Sequence, residues 1–406
     1  MSEPTRGRLP RNVLALGAVS FLTDVASEMI YPLVPLFLSG VLGASARFIG
    51  VIEGSAESVA GLLKLASGRV SDRMARRKPL VVAGYAIATF ARPLIAVSQT
   101  ATQVLAVRLT DRVGKGIRTA PRDALLADSV SPTLRGRAYG FHRAADHAGA
   151  VVGPLIAFAL LWWFTGELGA TRERADSDAL RMVFWLTLVP GMLALVVLVF
   201  VVREQPRLRA PRAQPAARDW AGRPFRWYLA SVFLFTLGNS TDAFLLLRAE
   251  QLGVGVTLAP VLWSLLHVVK ASTSTCGGAL SDSLGRRPLI IAGWLLYALV
   301  YVGFALASVA WHAWVLFAAY GLYFALTEGP ERAFVADLVP ERARGTAFGW
   351  YNLVIAIGAL PASLLFGTLW DAFGPSAAFA AGAAFAAAAI LILSAAPSGA
   401  HAGLTE

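Results

Sequence analysis

The sequence predicts an all-α membrane protein with about twelve transmembrane helices in two pseudo-symmetric halves of six and both termini in the cytoplasm. Three observations predict it. Of the 406 residues, 56% are hydrophobic and 15% charged, and the mean hydropathy of +0.61 lies well above that of an ordinary soluble domain. Apolar segments of about 20 residues, the length that crosses a bilayer core as a helix, recur from Leu14 to Leu393. Finally, two stretches return about 210 residues later: GRVSDRMARRKPLVVAGY from Gly68 as GALSDSLGRRPLIIAGW from Gly278, and APRDALLADSVSPTLRGRAYGF from Ala120 as GPERAFVADLVPERARGTAFGW from Gly329.

The spans read as 12–40, 47–68, 79–98, 101–129, 135–165, 179–202, 225–250, 257–279, 288–308, 312–338, 343–370 and 375–395, with the first, fourth, tenth and eleventh the most interrupted by charge. They divide the chain into a first half, 1–202, a Pro-, Arg- and Ala-rich linker, 203–224, and a second half, 225–406. The tail MSEPTRGRLPR runs into a full-length span, so no cleavable signal peptide is expected. The net charge of +11 falls on alternate loops, at Arg6 to Arg11, Arg69 to Lys78, Arg135 and Arg137, Arg203 to Arg226, Arg286 and Arg287, and Arg342 and Arg344. Those loops are cytoplasmic by the positive-inside rule, which accounts for the charge without nucleic acid; the expected location is the inner (plasma) membrane, as a multi-pass protein. The single cysteine, Cys276, excludes an internal disulfide and reads as a small packing residue.

Gly68-x-x-x-Asp72-Arg73-x-x-Arg76-Arg77-Lys78 and its copy Gly278-x-x-x-Asp282-x-x-Gly285-Arg286-Arg287 resemble the signature loop between the second and third helices of the major facilitator superfamily (MFS) and its second-half counterpart. Ala75 and Ser283 depart from the family's usual Gly and basic residue. The resemblance spans nearly the whole chain. It implies gating roles for Asp72, Arg73, Arg76, Arg77, Asp282, Arg286 and Arg287, which in that family hold helix ends together in one transport state. The physics is that an Asp meets a helix N-terminus and an Arg a carboxylate. The plainer alternative is that these arginines only set orientation.

Charge at membrane depth is expensive and marks functional candidates. On the first helix Asp24, Glu28 and Tyr31 share a face at i, i+4 and i+7, where two acids can exchange a proton or pair with basic groups of the fourth helix. On the second, Glu53 reads as solvated near the outer end, and Glu57 and Lys64 as a structural pair or a cavity device. Arg92, before Pro93, calls for a carboxylate from another helix.

The fourth helix carries the sharpest pattern. Arg108, Asp111, Arg112, Lys115, Arg118 and Arg122 fall within a sector of about 120°. Such a face must meet anions, either Asp24, Glu28, Glu57 and Asp146 or an anionic substrate group. Arg112-x-x-Lys115-Gly116 resembles the fourth-helix motif of proton-coupled antiporters in the superfamily, and DRVGKGIRTAPRDAL resembles a bacterial and archaeal subgroup. On the fifth helix His142 and Asp146 stand at i, i+4. A hydrogen-bonded or proton-relay role is favoured there over a metal, since Arg143 lies between them and no second ligand cluster is visible, so no metal or other cofactor is expected. Gly149-x-x-x-Gly153-Pro154 resembles the fifth-helix motif of the superfamily's exporters, where small residues let helices pack closely.

The second half keeps the frame and loses the charge. Its cavity candidates are Asn239, Asp242, His267, Lys270, Glu328 and Asn352, with Asp242 and Lys270 a possible pair, and Trp263, Tyr297, Tyr323, Trp350 and Tyr351 as aromatic wall. These readings converge on a secondary transporter, coupled to protons in the first half and shaped for a small molecule in the second. Its partners are substrate, protons and the lipid bilayer, and the resemblance implies a monomer. The alternatives are transport of an anionic metabolite held by the fourth helix, a metal-ion exporter, or a non-transporting receptor. No nucleotide loop or nucleophile arrangement suggests an enzyme.

Overall fold

The computed structural model describes residues 9–131, 134–167, 177–204, 221–340 and 343–397, so most of the expected linker lies outside the described residues. Among them every element is helical. The first span is two helices, α1 (Arg11–Glu28) and α2 (Val34–Gly40). Pro32 and Pro35 remove backbone donors in quick succession, so the chain unwinds into turns over 29–33 before restarting. Next come α3 (Ala46–Arg73), α4 (Lys78–Ala91) with a 3-10 turn at Arg92–Val97, α5 (Ala101–Asp128) and α6 (Arg135–Thr165). The sixth span joins α7 (Ser177–Leu186), α8 (Leu188–Val196) and a π turn at Val197–Val201.

The second half repeats the plan. Its first span breaks into α9 (Arg223–Gly238) and α10 (Ala243–Gln251). The remaining spans are α11 (Ala259–Leu284), α12 (Arg286–Leu306), α13 (Ala310–Asp337), α14 (Arg344–Phe373) and α15 (Pro375–Ala395). Both halves thus open with a discontinuous span, a feature that in transporters marks the binding site. Among the described residues, eight spans are long and apolar enough to cross a membrane on length and composition alone. The eleventh, α14, is among them; the second, α3, is not, because Glu53, Glu57, Lys64 and Arg69 interrupt it.

Trp163, Phe200, Leu306 and Leu391 stand exposed on the outside of the bundle, as a lipid-facing surface requires. Cys276 is also exposed on α11, so it is not a buried packing residue. The halves meet through glycines. A Cβ at Gly50 of α3 would collide with the Ser363 carbonyl of α14, and one at Gly54 would lie 2.9 Å from the Leu360 Cα. Within the first half Gly149 and Gly153 seat α6 on α1 at Asp24 and Val25. At the end opposite the basic loops, the Asp371 carboxylate of α14 accepts from the backbone N–H of Ala46 (3.0 Å) and of Arg47 (2.9 Å), capping α3 across the interface. At the basic end the contacts thin, and a Cβ at Gly140, Gly329 or Gly345 would meet nothing within 4 Å.

Candidate functional site

Most of the buried charge in the first half is locked into pairs. Arg108 holds Glu53 through both carboxylate oxygens, and Arg92 holds Asp111 at 2.8 Å, all four side chains at most 4% exposed. Glu53 is therefore not solvated: α3 packs against α5 and carries it into the bundle. Burial without water makes such pairing obligatory. Arg112 reaches Glu57 at 3.3 Å, so the partner of Glu57 is Arg112 and not Lys64. The Glu57 side chain is 49% exposed, facing the space between the halves. Arg118 departs most from expectation. It lies between α4 and α5 with its guanidinium 4.3 Å from the Tyr85 ring centroid and does not line the cavity.

A second group lies on α1 and α6. Asp146 accepts from the Ser20 hydroxyl and has His142 Nδ1 at 3.5 Å, while Arg122 bonds Ser20 at 3.3 Å and Asp123 at 2.8 Å. Glu28 accepts from Trp263 Nε1 of α11 at 2.8 Å, with His267 Nε2 at 4.0 Å, so this acid bridges the halves. Among the described residues no Lys or Arg stands within 4.0 Å of Asp24, Glu28 or Asp146. The expected pairing of these acids with Arg112 and Arg118 is not made. Arg112 is taken by Glu57, and Arg118 lies on Tyr85.

Between the halves lies a cavity of about 530 Å³, within the range of small-molecule sites. Tyr31 and Asn239 to Asp242, the breaks of the two discontinuous spans, form part of its wall. A smaller space of about 210 Å³ adjoins it at Glu57 and Asn352 and extends past Lys64 and Lys115. Lys270 bonds Glu328 at 3.0 Å and lies 4.2 Å from the Phe324 ring centroid, so it does not pair with Asp242. Asp242 instead accepts from Tyr320 Oη at 2.7 Å. Glu331 accepts from Trp294 Nε1 (2.9 Å) and Tyr351 Oη (2.6 Å). Tyr323, Tyr351 and Asn352 line the cavity, whereas Tyr297 is buried behind it and Trp350 faces outward, 49% exposed.

Among the described residues, the signature-loop residues are bonded to their own half or to the start of the linker, not to the opposite half. Arg77 meets Asp72 at 2.9 Å and Asp128 at 3.0 Å, and its N–H donates to Glu204. Arg286 meets Asp337 at 3.4 Å, and Arg287 donates to the Ser394 carbonyl at 2.5 Å. Asp72 is largely exposed, as are Arg73 and Arg76; the side chain of Asp282 lies outside the described residues.

Sequence reasoning missed Asp371 and Trp294, and left Glu331 out of the cavity set. The carboxyl spacing Glu328, Glu331 was a usable signal for the last. Nothing local marks Asp371 or Trp294, because their partners come from other spans.

The chain matches the Major Facilitator Superfamily model over residues 16–363. An uncharacterized MFS-type transporter of Methanocaldococcus jannaschii is 31% identical over 368 residues, covering 89% of each chain. A "Probable 4-methylmuconolactone transporter" of Cupriavidus pinatubonensis is 29% identical, covering 79% of this chain and 72% of its own. Among solved structures, a bacterial homolog of the human lysosomal transporter Spinster, inward-facing and unoccupied, superposes with a TM-score of 0.72 at 18% identity, covering 96% of both chains. Twelve helical spans among the described residues, with the first and seventh discontinuous around a central cavity, and a family match that runs across both halves together show that the chain belongs to the Major Facilitator Superfamily of membrane transporters.

Proposed function

We propose that the protein is a proton-coupled antiporter that moves a small organic molecule outward by rocking two halves, 1–202 and 225–406, about the central cavity on the linker 203–224. The observation that carries this reading is the division of the acids within the spans into two kinds. Glu53, Glu57 and Asp111 are held by arginines, and a proton added to any of them breaks an ion pair. Asp24, Glu28 and Asp146 have no such partner, so they can accept and release a proton without stranding a buried cation.

Glu28 supplies the link to motion. Its bond to Trp263 crosses the interface beside the cavity, so its protonation changes an interaction between the halves and biases the two-state equilibrium. In this reading the basic end is cytoplasmic, the cavity is open toward that end, the protein works as a monomer in the plasma membrane, and the loops of Asp72 and Asp282 close that end in the alternate state. The metabolite transporter among the relatives supports a small organic substrate. The anion alternative, in which Arg112, Lys115 and Arg118 bind the substrate, is weaker, because Arg112 is held by Glu57 and Arg118 lies on Tyr85 away from the cavity.

The test is proton movement across proteoliposomes holding the purified protein and a trapped pH reporter under an imposed pH gradient. Lipophilic cations, organic anions and divalent metals are added in turn. A proton flux triggered by one class, and lost in Glu28→Gln and Arg112→Ala while both variants stay folded, is the expected result. Full coupled activity in both variants refutes the assignment.

A further inference from the structure

We propose that the second-half wall of the cavity is a binding site for an organic ammonium or similarly delocalised monovalent cation, held by Glu331 and Asp242 inside an aromatic box. The proposal deepens the transport reading by naming the substrate's charge class, and it rests on that reading only in calling the ligand a substrate.

Five acids line the cavity: Glu53, Glu57, Asp242, Glu328 and Glu331. Three are neutralised by the protein's own bases, Glu53 by Arg108, Glu57 by Arg112 and Glu328 by Lys270. The other two are not. Among the described residues, no basic side chain stands within 4.0 Å of Asp242 or Glu331. Their protein partners are neutral donors, Tyr320 for Asp242 and Trp294 with Tyr351 for Glu331. These donors orient the carboxylates and occupy only part of their acceptor capacity, since a carboxylate has about four acceptor sites.

The surroundings suit a cation that carries apolar bulk. Phe235 stacks on Trp294 with centroids 4.6 Å apart, and Tyr320 stacks on Tyr323 at 5.5 Å. The negative faces of such rings attract cations, most strongly where water is excluded. The same wall already shows the interaction once: the Lys270 ammonium sits 4.2 Å from the Phe324 ring centroid and 3.0 Å from Glu328. Ring plus carboxylate is thus a working solvation shell for an ammonium in this cavity, and near Glu331 the cavity is again lined by aromatic residues, Phe235, Trp294, Tyr323 and Tyr351, without a resident lysine.

Four other cationic groups bear on the site. Arg112 is bound to Glu57, Arg332 lines the cavity next to Glu331 in sequence, and Lys64 and Lys115 lie in the adjoining space toward the basic end. These cations disfavour a cationic ligand on the first-half side of the cavity and favour its placement at Asp242 and Glu331, the cavity-lining acids that no Lys or Arg holds among the described residues.

The experiment is equilibrium binding to the purified full chain in detergent, with benzyltrimethylammonium and tetraphenylphosphonium as probes and tetraphenylborate as the isosteric anion. At least one cation is expected to bind saturably and to be displaced by the other, and tetraphenylborate to bind at least about tenfold more weakly. Glu331→Gln and Asp242→Asn, which preserve shape and one acceptor oxygen, are each expected to weaken the cation by about tenfold with an unchanged melting temperature. Tyr351→Phe, which keeps the ring, is expected to have a smaller effect. The proposal is overturned if neither cation binds, if tetraphenylborate binds as tightly, or if the double variant Asp242→Asn/Glu331→Gln leaves cation affinity unchanged. Binding needs no coupling, so cation binding without proton flux refutes antiport and keeps the site, whereas proton flux driven by an anion refutes the site and keeps transport.

Discussion

Asp371 offers the most direct handle on the conformational equilibrium. Its carboxylate accepts two backbone N–H bonds at the start of α3, at 3.0 and 2.9 Å, and these bonds exist only while α3 and α14 are together at the end opposite the basic loops. Removing a capping side chain costs about 0.5–2 kcal/mol, and losing a negative charge at a helix N-terminus about 0.3–1 kcal/mol more. The site is exposed, so the lower half of the combined range applies, about 1.4 kcal/mol, which is a tenfold change in an equilibrium constant. Asp371→Ala is therefore expected to shift the balance about tenfold toward opening at that end. The readout is the distance distribution between spin labels at Gln99 and Ser308, exposed positions in opposite halves, in a Cys276→Ser background. Ser45→Ala is the control. Ser45 caps the same helix by accepting from Phe48 N–H at 3.3 Å, but it does so within α3 and hence in both states. It should lower the melting temperature without moving the distances. An unchanged distribution in Asp371→Ala, or an equal shift in Ser45→Ala, would refute the reasoning.

Glu53→Gln leaves Arg108 with only the more distant Asp111, 4.0 Å away, and is expected to cost about 3 kcal/mol, the lower end for a broken buried pair, while the apolar pair Glu53→Leu/Arg108→Met recovers most of it; thermal unfolding in detergent gives both values. Gly50→Val drives a side chain into the Ser363 carbonyl, an overpacking cost of about 1–3 kcal/mol that falls only on the state with α3 and α14 closed. The same label pair should report opening. Tyr85→Leu removes the ring under Arg118 and should destabilise by about 1–2 kcal/mol, whereas Tyr85→Phe should be neutral, since the Tyr85 hydroxyl has no hydrogen-bond partner among the described residues.

The membrane class and the twofold plan were legible because they rest on properties that add along the chain: span length, hydropathy and the recurrence of Gly68 to Tyr85 at Gly278 to Trp294. The basic face of α5 was legible too, since helical periodicity determines which residues share a side. What that side meets was not. Arg108 found Glu53, Arg112 found Glu57, and Arg118 found the Tyr85 ring, although all three belong to one stripe. The break in the first span is announced by Pro32 and Pro35, whereas the break at Asn239 to Asp242 has no proline to mark it.

The sequence by itself determined that this chain spans a membrane, that it is built from two related halves, and which positions carry charge into the bilayer. Only the tertiary structure decided which charges cancel and which remain. Pairing depends on the rotation and depth of one helix against another, and neither is encoded within a single span. The acids that no Lys or Arg holds among the described residues, Asp24, Glu28 and Asp146 in the first half and Asp242 and Glu331 in the second, are therefore a property of packing. The function proposed here depends on that remainder.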